Sequence, residues 1–164
     1  MQVLGIVGGS GSGKTTLITA LVPRLAAHGL SVSVVKHAHH GFDIDRPGKD
    51  SFRHREAGAR EVLVASPQRW ALLCENRDAE PPLATLLARL APVDLVLVEG
   101  FKSADHAQLE VHRPSLGRPR LGDAARGILA VATDAPSADA ALPELPLNDP
   151  DAIAAWILAW WRAR

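Results

Sequence analysis

Short apolar runs alternate with helical stretches along this chain. Helices are predicted after Gly13, where apolar residues recur at intervals of three and four, and at Asp50–Ala57, Pro82–Leu90 and Pro150–Ala163. Buried strands are predicted at the apolar runs Gln2–Val7 and Asp94–Val98, and a further strand at the β-branched run Ser31–Lys36. Other strands are predicted at Glu61–Ala65, Arg69–Cys74, Leu109–His112 and Ile128–Thr133, the last of the chain. This alternation predicts an α/β fold with a mainly parallel sheet flanked by helices and with ligands at the carboxyl ends of the strands.

The first and last helices raise more specific expectations. Pro23 stands late in the first helix and is predicted to kink or shorten it, and Gly29 ends it. The last helix carries Trp156, Trp160 and Trp161 on one apolar stripe. This stripe either docks on the sheet or forms a surface for a partner or second copy, because tryptophan is favoured at interfaces.

Two segments interrupt the alternation. Residues 37–48 show no periodicity, and long loops in compact domains are usually functional. Arg113–Gly127 is rich in Arg, Gly and Pro and is predicted to be a mobile loop. No linker is long enough to divide the chain, so residues 1–164 are expected to form a single domain.

Composition and charge exclude several classes of function. Lys and Arg total 18 and Asp and Glu total 18, so the net charge of zero provides no field that attracts nucleic acid or anionic lipid. Cys74 is the single cysteine and cannot form a disulfide within the chain. No apolar run approaches the roughly 18 residues of a membrane span, and the first residues lack the features of a signal peptide. We therefore expect a cytoplasmic protein that binds neither nucleic acid nor membrane.

The strongest motif is GGSGSGKT, residues 8–15, which matches G-x-x-x-x-G-K-[ST] between a predicted strand and a predicted helix. Glycines let backbone N–H groups surround phosphate oxygens, and the helix N-terminus adds partial positive charge. Lys14 is predicted to reach the β- and γ-phosphates as a catalytic residue, and Thr15 to bind Mg²⁺. The fold class is thereby refined to a single-domain P-loop NTPase. The predicted nucleotide-binding residues of this segment are Gly8, Gly9, Ser10, Gly11, Ser12, Gly13, Lys14, Thr15 and Thr16.

An acid at the end of a neighbouring strand usually completes such a magnesium site. Asp94 and Glu99 lie about 16 Å apart along the run DLVLVE at about 3.3 Å per residue, and only Glu99 stands at the carboxyl end. Glu99 is therefore predicted as a magnesium ligand and catalytic residue that touches the ion, holds one of its waters or positions the attacking water. The alternative is a structural acid that caps the turn into Gly100.

Polar residues beyond the motif are candidates for further contacts. Lys36 and His37 leave a strand at its carboxyl end and are predicted to bind an anionic ligand of the phosphate or pterin type. The alternatives are a zinc or nickel site formed by His37 with His39 and His40, or no ligand role. Asp134 follows the last predicted strand and is a candidate guanine ligand. Because the lysine that usually accompanies such an Asp is absent, the motif does not separate GTP from ATP.

Positive charge concentrates just downstream of the histidines. It forms either a solvated helix face or a set of contacts to a phosphoryl group or a second anionic ligand. The residues concerned are Arg46, Lys49, Arg53, Arg55 and Arg60.

The segment VKHAHHGFDIDRPGKDSFRHREAGA, residues 35–59, together with GGSGSGKTTL and DLVLVEGFK, resembles the MobB family of molybdopterin-guanine dinucleotide biosynthesis. The tail is also similar, so the resemblance covers most of the chain. It implies a GTP-binding adapter with weak GTPase activity, commonly a homodimer, that assists the guanylyltransferase joining GMP to molybdopterin. It places GTP phosphates at Gly8–Thr15, the Walker B region at Glu99 and Gly100, and a switch-like loop with Asp45 at Lys36–Asp50. Molybdopterin is a further candidate ligand.

Two other functions remain open from the residues alone. A P-loop kinase of a small metabolite would use Asp43 or Asp45 to activate the acceptor and Arg113–Arg126 as an arginine lid. A metallochaperone GTPase would bind nickel or zinc through the three histidines. Nucleic-acid binding is least favoured, because the chain has no aromatic platform with interleaved basic residues.

Overall fold

Six parallel strands form the sheet of the first of two units into which the chain divides. This unit comprises residues 1–37 and 89–164, and the second comprises residues 38–88. The computed structural model describes residues 1–38, 41–77, 79–101, 105–122, 127–137 and 140–164. In chain order the elements are β1 (Gln2–Gly8), α1 (Lys14–Ala27), β2 (Val32–Lys36), α2 (Asp50–Glu56), β3 (Glu61–Ala65), β4 (Trp70–Cys74), α3 (Leu83–Leu87), β5 (Leu95–Glu99), β6 (Ala107–His112), β7 (Ile128–Thr133), β8 (Glu144–Pro146) and α4 (Pro150–Arg162).

The strand order of the large sheet determines where a ligand site can form. The order is β2-β5-β1-β6-β7-β8, and every neighbouring pair is parallel, which confirms the predicted sheet. β1 lies in the interior between β5 and β6. The chain runs from β1 to β2 on one side and reaches β6 on the other only later. The carboxyl end of β1 therefore lies at a topological switch point, where open α/β sheets bind ligands.

The main core lies on one face of this sheet, against α1 and α4. Alternate residues of each strand point to that face, because successive side chains of a strand point to opposite faces. Its fully buried strand residues include Leu4, Ile6, Leu95, Leu97 and Leu109, and α1 adds Leu17, Ile18, Leu21 and Leu25.

The last helix is docked on this core. Trp156, Trp160 and Trp161 are partly buried and pack against the core cluster, which confirms the first of the two interpretations of the tryptophan stripe. Asp149 caps α4 by accepting hydrogen bonds from two N–H groups of its first turn. None of the helices in the described part of the chain has the length and the apolar character of a membrane span.

Two expectations about this unit were wrong in detail. Pro23 was expected to kink or shorten α1, and the shortening is wrong: the helix continues to Ala27, because Leu21 and Leu25 are fully buried on either side of the proline and hold it against the sheet. The kink stays a prediction. β7 is not the last strand, since β8 pairs with it at the sheet edge. β8 is only three residues long and includes Pro146, which cannot donate to a ladder and is tolerated at an edge.

The second unit contains a separate two-stranded sheet. β3 and β4 pair in antiparallel register, with Ala65 opposite Trp70, and neither joins the parallel sheet of the first unit. The alternation of strands and helices did not predict this hairpin. α3 is shorter than the predicted helix Pro82–Leu90. Several apolar side chains of the hairpin are exposed, among them Leu63, Val64 and Trp70.

Candidate functional site

The segment between β1 and α1 has the backbone of a phosphate-binding loop. Gly13 has φ 101° and stands directly before the first residue of α1, so the free N–H groups of the helix open onto this loop. Gly8 has φ 150°, and a Cβ there would lie 2.3 Å from the carbonyl oxygen of Val111. Both positions require glycine, which is the physical basis of the motif.

Two side chains of this loop are suited to oxyanion ligands. Lys14 Nζ donates to the carbonyl oxygens of Gly9 and Gly8 at 2.7 and 3.3 Å, so its ammonium is held over the start of the loop. Ser12 is 2% exposed, and its Oγ finds no hydrogen-bond partner among the described residues. Because a buried hydroxyl without a partner is costly, Ser12 fits a site that is completed by a polar ligand.

The structure brings the two predicted magnesium ligands together. Thr15 Oγ1 donates to Glu99 Oε1 at 2.8 Å, and this hydrogen bond joins the first turn of α1 to the carboxyl end of β5. Lys36 Nζ lies 3.7 Å from the same oxygen, and Glu99 is 9% exposed. Oxygen ligands of this kind are those that Mg²⁺ prefers. Thr15 and Glu99 therefore fit the ion, although their roles stay predictions.

Asp94 lies at the opposite end of β5, as expected. Its Oδ2 accepts from the N–H and the hydroxyl of Ser31 at 2.8 and 2.5 Å, at the start of β2. These hydrogen bonds, from the hydroxyl first and the N–H second, lower the pKa of Asp94. Asp94 thus ties two strands together at their amino ends.

His37 packs against the turn that follows Glu99. Its N–H donates to the Glu99 carbonyl oxygen at 2.8 Å, and its ring stacks on Phe101 with centroids 4.4 Å apart. A Cβ on Gly100 would lie 2.8 Å from His37 Cβ. The anion-binding roles of Lys36, His37 and Gly100 remain predictions.

The predicted histidine metal site cannot be assembled from the described residues. His39 and His40 lie outside them, and the rest of the described chain contains no group of three potential metal ligands.

Asp134, the candidate guanine ligand, is paired with an arginine that the sequence analysis named only as the first residue of an arginine lid. Arg113 follows β6, and its guanidinium forms a short ion pair with Asp134. Arg113 Nε also donates to the Ser12 carbonyl oxygen at 3.2 Å, and its Nη2 to Asn148 Oδ1 at 3.4 Å. Arg113 therefore connects the phosphate loop to the ends of β7 and β8. Binding of guanine by Asp134 stays a prediction, and the base would have to compete with Arg113 for the Asp134 carboxylate.

In the second unit, Asp45 belongs to a network around Arg55. Asp45 accepts from Ser51 Oγ at 2.8 Å and lies 3.3 Å from Arg55 Nε. Arg55 also pairs with Asp43 at 2.8 Å and Glu75 at 2.6 Å. The N–H of Asp45 and the guanidinium of Arg55 lower the pKa of Asp43. Asp45 as a cofactor ligand stays a prediction.

This network also corrects one expectation about the basic run. The side chain of Arg55 is 15% exposed and faces three carboxylates, so Arg55 is not part of a freely solvated helix face. The two acids that a kinase would use, Asp43 and Asp45, are both held by this guanidinium.

Comparison with known proteins decides the family. The family model for molybdopterin guanine dinucleotide synthesis protein B matches residues 3–134. The molybdopterin-guanine dinucleotide biosynthesis adapter protein of Escherichia coli K12 is 42% identical over 165 residues, covering 98% of this chain and 93% of the relative. The chain belongs to the MobB family.

Further MobB proteins support this assignment. The adapter protein of Haemophilus influenzae is 43% identical over 83% of this chain and 76% of its own length. A crystal structure of a molybdopterin-guanine biosynthesis protein B is 32% identical with a TM-score of 0.74, covering 96% of this chain and 99% of that one. The MobB homolog of Bacillus stearothermophilus aligns over 100% of both chains with a TM-score of 0.72 at 28% identity. The predicted α/β P-loop-type fold is confirmed, and no comparison supports the kinase or metallochaperone alternatives.

The MobB fold also reveals a segment whose contacts the sequence did not predict. Residues 113–122, here called the return segment, follow β6 and include a 3₁₀ turn at Pro114–Leu116. They were expected to be part of a mobile loop, whose residues 123–126 lie outside the described chain. Arg113 and Arg118 of this segment lie against the phosphate loop. Their only signal in the sequence is positive charge at the carboxyl end of a strand.

Proposed function

We propose that this MobB-family chain is a GTP-binding adapter in molybdopterin-guanine dinucleotide biosynthesis. It assists the guanylyltransferase that attaches GMP to molybdopterin, acts as a homodimer in the cytoplasm and has weak GTPase activity. The names of its relatives support the adapter role. The observation that carries the nucleotide-binding part is the hydrogen bond between Thr15 and Glu99 beside a glycine loop with the phosphate-binding backbone.

Different groups of the loop and its neighbours would bind the phosphates and the magnesium ion of GTP. Backbone N–H groups from Gly9 to Thr16 and the ammonium of Lys14 would bind phosphate oxygens, and the unpartnered hydroxyl of Ser12 would donate to one of them. Thr15 and Glu99 would hold Mg²⁺ directly or through water. The ion would neutralise charge on the phosphates. Lys36, close to Glu99, would moderate the negative charge of that carboxylate.

The surroundings of Glu99 support slow rather than fast hydrolysis. Fast GTPases orient the attacking water with a dedicated residue. Here Glu99 Oε1 already accepts the Thr15 hydroxyl and lies beside the ammonium of Lys36. This carboxylate oxygen is therefore engaged by residues of its own chain rather than free to hold an attacking water. Binding, rather than rapid turnover, is what these contacts favour.

Calorimetric titration tests the nucleotide. We expect the chain with Mg²⁺ to bind GTP in preference to ATP, and GTP binding to weaken when Mg²⁺ is removed. Lys14→Ala should abolish tight binding and leave thermal unfolding unchanged. A preference for ATP, or unchanged GTP affinity in Lys14→Ala, would overturn the proposal.

A matched pair of threonine variants tests the magnesium ligands. Thr15→Ala should weaken Mg²⁺-dependent GTP binding, whereas Thr19→Ala, one helical turn further along α1, should not. Thr19 Oγ1 donates to the Thr15 carbonyl oxygen on the helix surface, so its loss controls for damage to α1. Glu99→Gln should retain GTP but lose part of the magnesium dependence. If magnesium dependence is unaltered in Thr15→Ala and Glu99→Gln, both residues are structural.

The adapter role needs its own measurement. In a mixture of guanylyltransferase, molybdopterin and GTP, wild-type protein should raise the yield of the guanine dinucleotide, and Lys14→Ala should not. Equal stimulation by both proteins would show that nucleotide binding and the adapter role are separate.

A further inference from the structure

The return segment is held against the sheet by two side chains of β6. Glu110 is 1% exposed, and its Oε1 accepts the N–H of Leu121 at 2.7 Å. His112 Nε2 lies 3.1 Å from the carbonyl oxygen of Arg118. Both side chains project from the sheet face opposite the main core, because they alternate along β6 with the core residues Leu109 and Val111. The backbone around Arg118 is thus held by two contacts, one at Arg118 itself and one at Leu121.

Arg118 is thereby brought against the phosphate loop. A Cβ on Gly9 would lie 2.9 Å from Arg118 Cδ and 3.7 Å from its Nε and Nη1. A side chain at position 9 would therefore displace Arg118 from this place. Lys14 Nζ contacts the carbonyl oxygen of the same Gly9 at 2.7 Å. The two cations therefore meet at one residue of the loop.

The two arginines of the return segment differ in what they contact. The guanidinium of Arg113 has three partners: Ser12, Asp134 and Asn148. The guanidinium of Arg118 is exposed and has no hydrogen-bond or ion-pair partner in the part of the chain that the structure describes. Arg113 is occupied in joining elements of the fold, whereas the five donors of Arg118 are available to an anion.

We propose that Arg118 binds the terminal phosphate of the nucleotide and so distinguishes a nucleoside triphosphate from a diphosphate. This assignment rests on the proposed function. The lysine of this motif reaches the β- and γ-phosphates. Because Lys14 and Arg118 both contact Gly9, Arg118 lies at the same end of the loop as that lysine. Arg113 lies at the other end, next to Ser12 and the start of α1. A planar guanidinium suits a phosphate, which it contacts with two parallel N–H groups.

The test compares GTP and GDP affinities by calorimetry in the presence of Mg²⁺. Arg118→Ala should lower GTP affinity by about tenfold, as expected for loss of a hydrogen bond between charged groups, and leave GDP affinity unchanged. Arg118→Lys should lie between the two, because lysine keeps the charge but not the planar donors. Arg118 is exposed, so thermal unfolding should not change in either variant.

Arg120→Ala is the matched control. Arg120 belongs to the same segment but pairs with Glu144 instead of approaching the phosphate loop, and its loss should leave both affinities unchanged. Equal losses of GTP and GDP affinity in Arg118→Ala, or no loss at all while the wild-type chain binds GTP, would overturn this assignment alone. A wild-type chain that binds neither nucleotide would overturn the proposed function, and this assignment with it.

Discussion

Two strands of nearly the same composition have opposite surroundings in this molecule. β3 has the sequence EVLVA and β5 has the sequence LVLVE. Every residue of β5 is buried, whereas four of the five residues of β3 are exposed. β5 lies between β1 and β2 inside the six-stranded sheet, and β3 pairs with β4 alone.

The difference shows that an apolar run predicts a strand but not its burial. Leu97 in β5 is 0% exposed and Leu63 in β3 is 61% exposed, although both are leucines in the middle of five-residue strands. Apolar side chains stabilise a fold in proportion to the area that they remove from water. The two runs should therefore contribute very differently to the stability of the chain.

Hydrogen exchange should reveal the largest contrast. Amides of β1 and β5 should exchange more than about 1000-fold more slowly than those of β3 and β4, because the interior strands open only when the first unit unfolds. Amide exchange measured by NMR on the full chain at neutral pH tests this. If the amides of β3 and β4 were protected as strongly as those of β1 and β5, the expected contrast would be wrong, and β3 and β4 would be covered in solution.

A matched pair of leucine truncations should give the next largest effect. Leu97→Ala should lower the free energy of unfolding by about 2 to 5 kcal/mol, because it leaves a cavity in the core. Leu63→Ala should change it by no more than about 0.5 kcal/mol, as at other exposed sites. Urea unfolding followed by circular dichroism measures both. A cost at Leu63 as large as that at Leu97 would contradict the exposed position of β3.

The smallest expected effects are on how stability depends on acid pH, with one carboxylate responsible in each unit. Hydrogen bonds lower the pKa of Asp94 in the first unit and of Asp43 in the second. A lowered pKa adds stability that is present above the unfolded value, about 4, and is lost as the pH falls through the folded value. The melting temperature of Asp94→Asn should therefore fall less steeply below about pH 4 than that of wild type.

The second unit provides the corresponding acid variant. In Asp43→Asn, the hydrogen-exchange protection of the β3 and β4 amides should fall less steeply in acid than in wild type. The protection of the β5 amides should depend on pH as it does in wild type. A steeper acid dependence in either variant would show that the carboxylate is not stabilised by its partners.

Local rules explain which parts of the site were predictable. The phosphate loop follows from glycines that must adopt positive φ, and Glu99 follows from its place at the carboxyl end of a buried parallel strand. Both depend on residues close together in the sequence. Thr15 and Glu99 meet because β1 and β5 are neighbours, which the α/β pattern allowed but did not specify.

The rest of the site depends on contacts that no local pattern encodes. Arg113 and Arg118 lie in a segment without periodicity, and their positions follow from Asp134, Glu110 and His112. Asp134 was selected for its place after a strand, but its ion pair with Arg113 joins residues 21 positions apart. The sequence also did not predict that β3 and β4 form a separate sheet, because their apolar composition is the same as that of buried strands.

The distribution of tryptophan gives the molecule two intrinsic optical labels. The chain has four tryptophans and no tyrosine. Three lie on α4 and are partly buried in the first unit, whereas Trp70 lies on the hairpin and is 66% exposed. Indole fluorescence shifts to longer wavelength in water, so the red side of the emission spectrum reports on the hairpin and the blue side on the docked helix. A soluble quencher should extinguish the red emission first, and each unit can be followed in the unmodified protein.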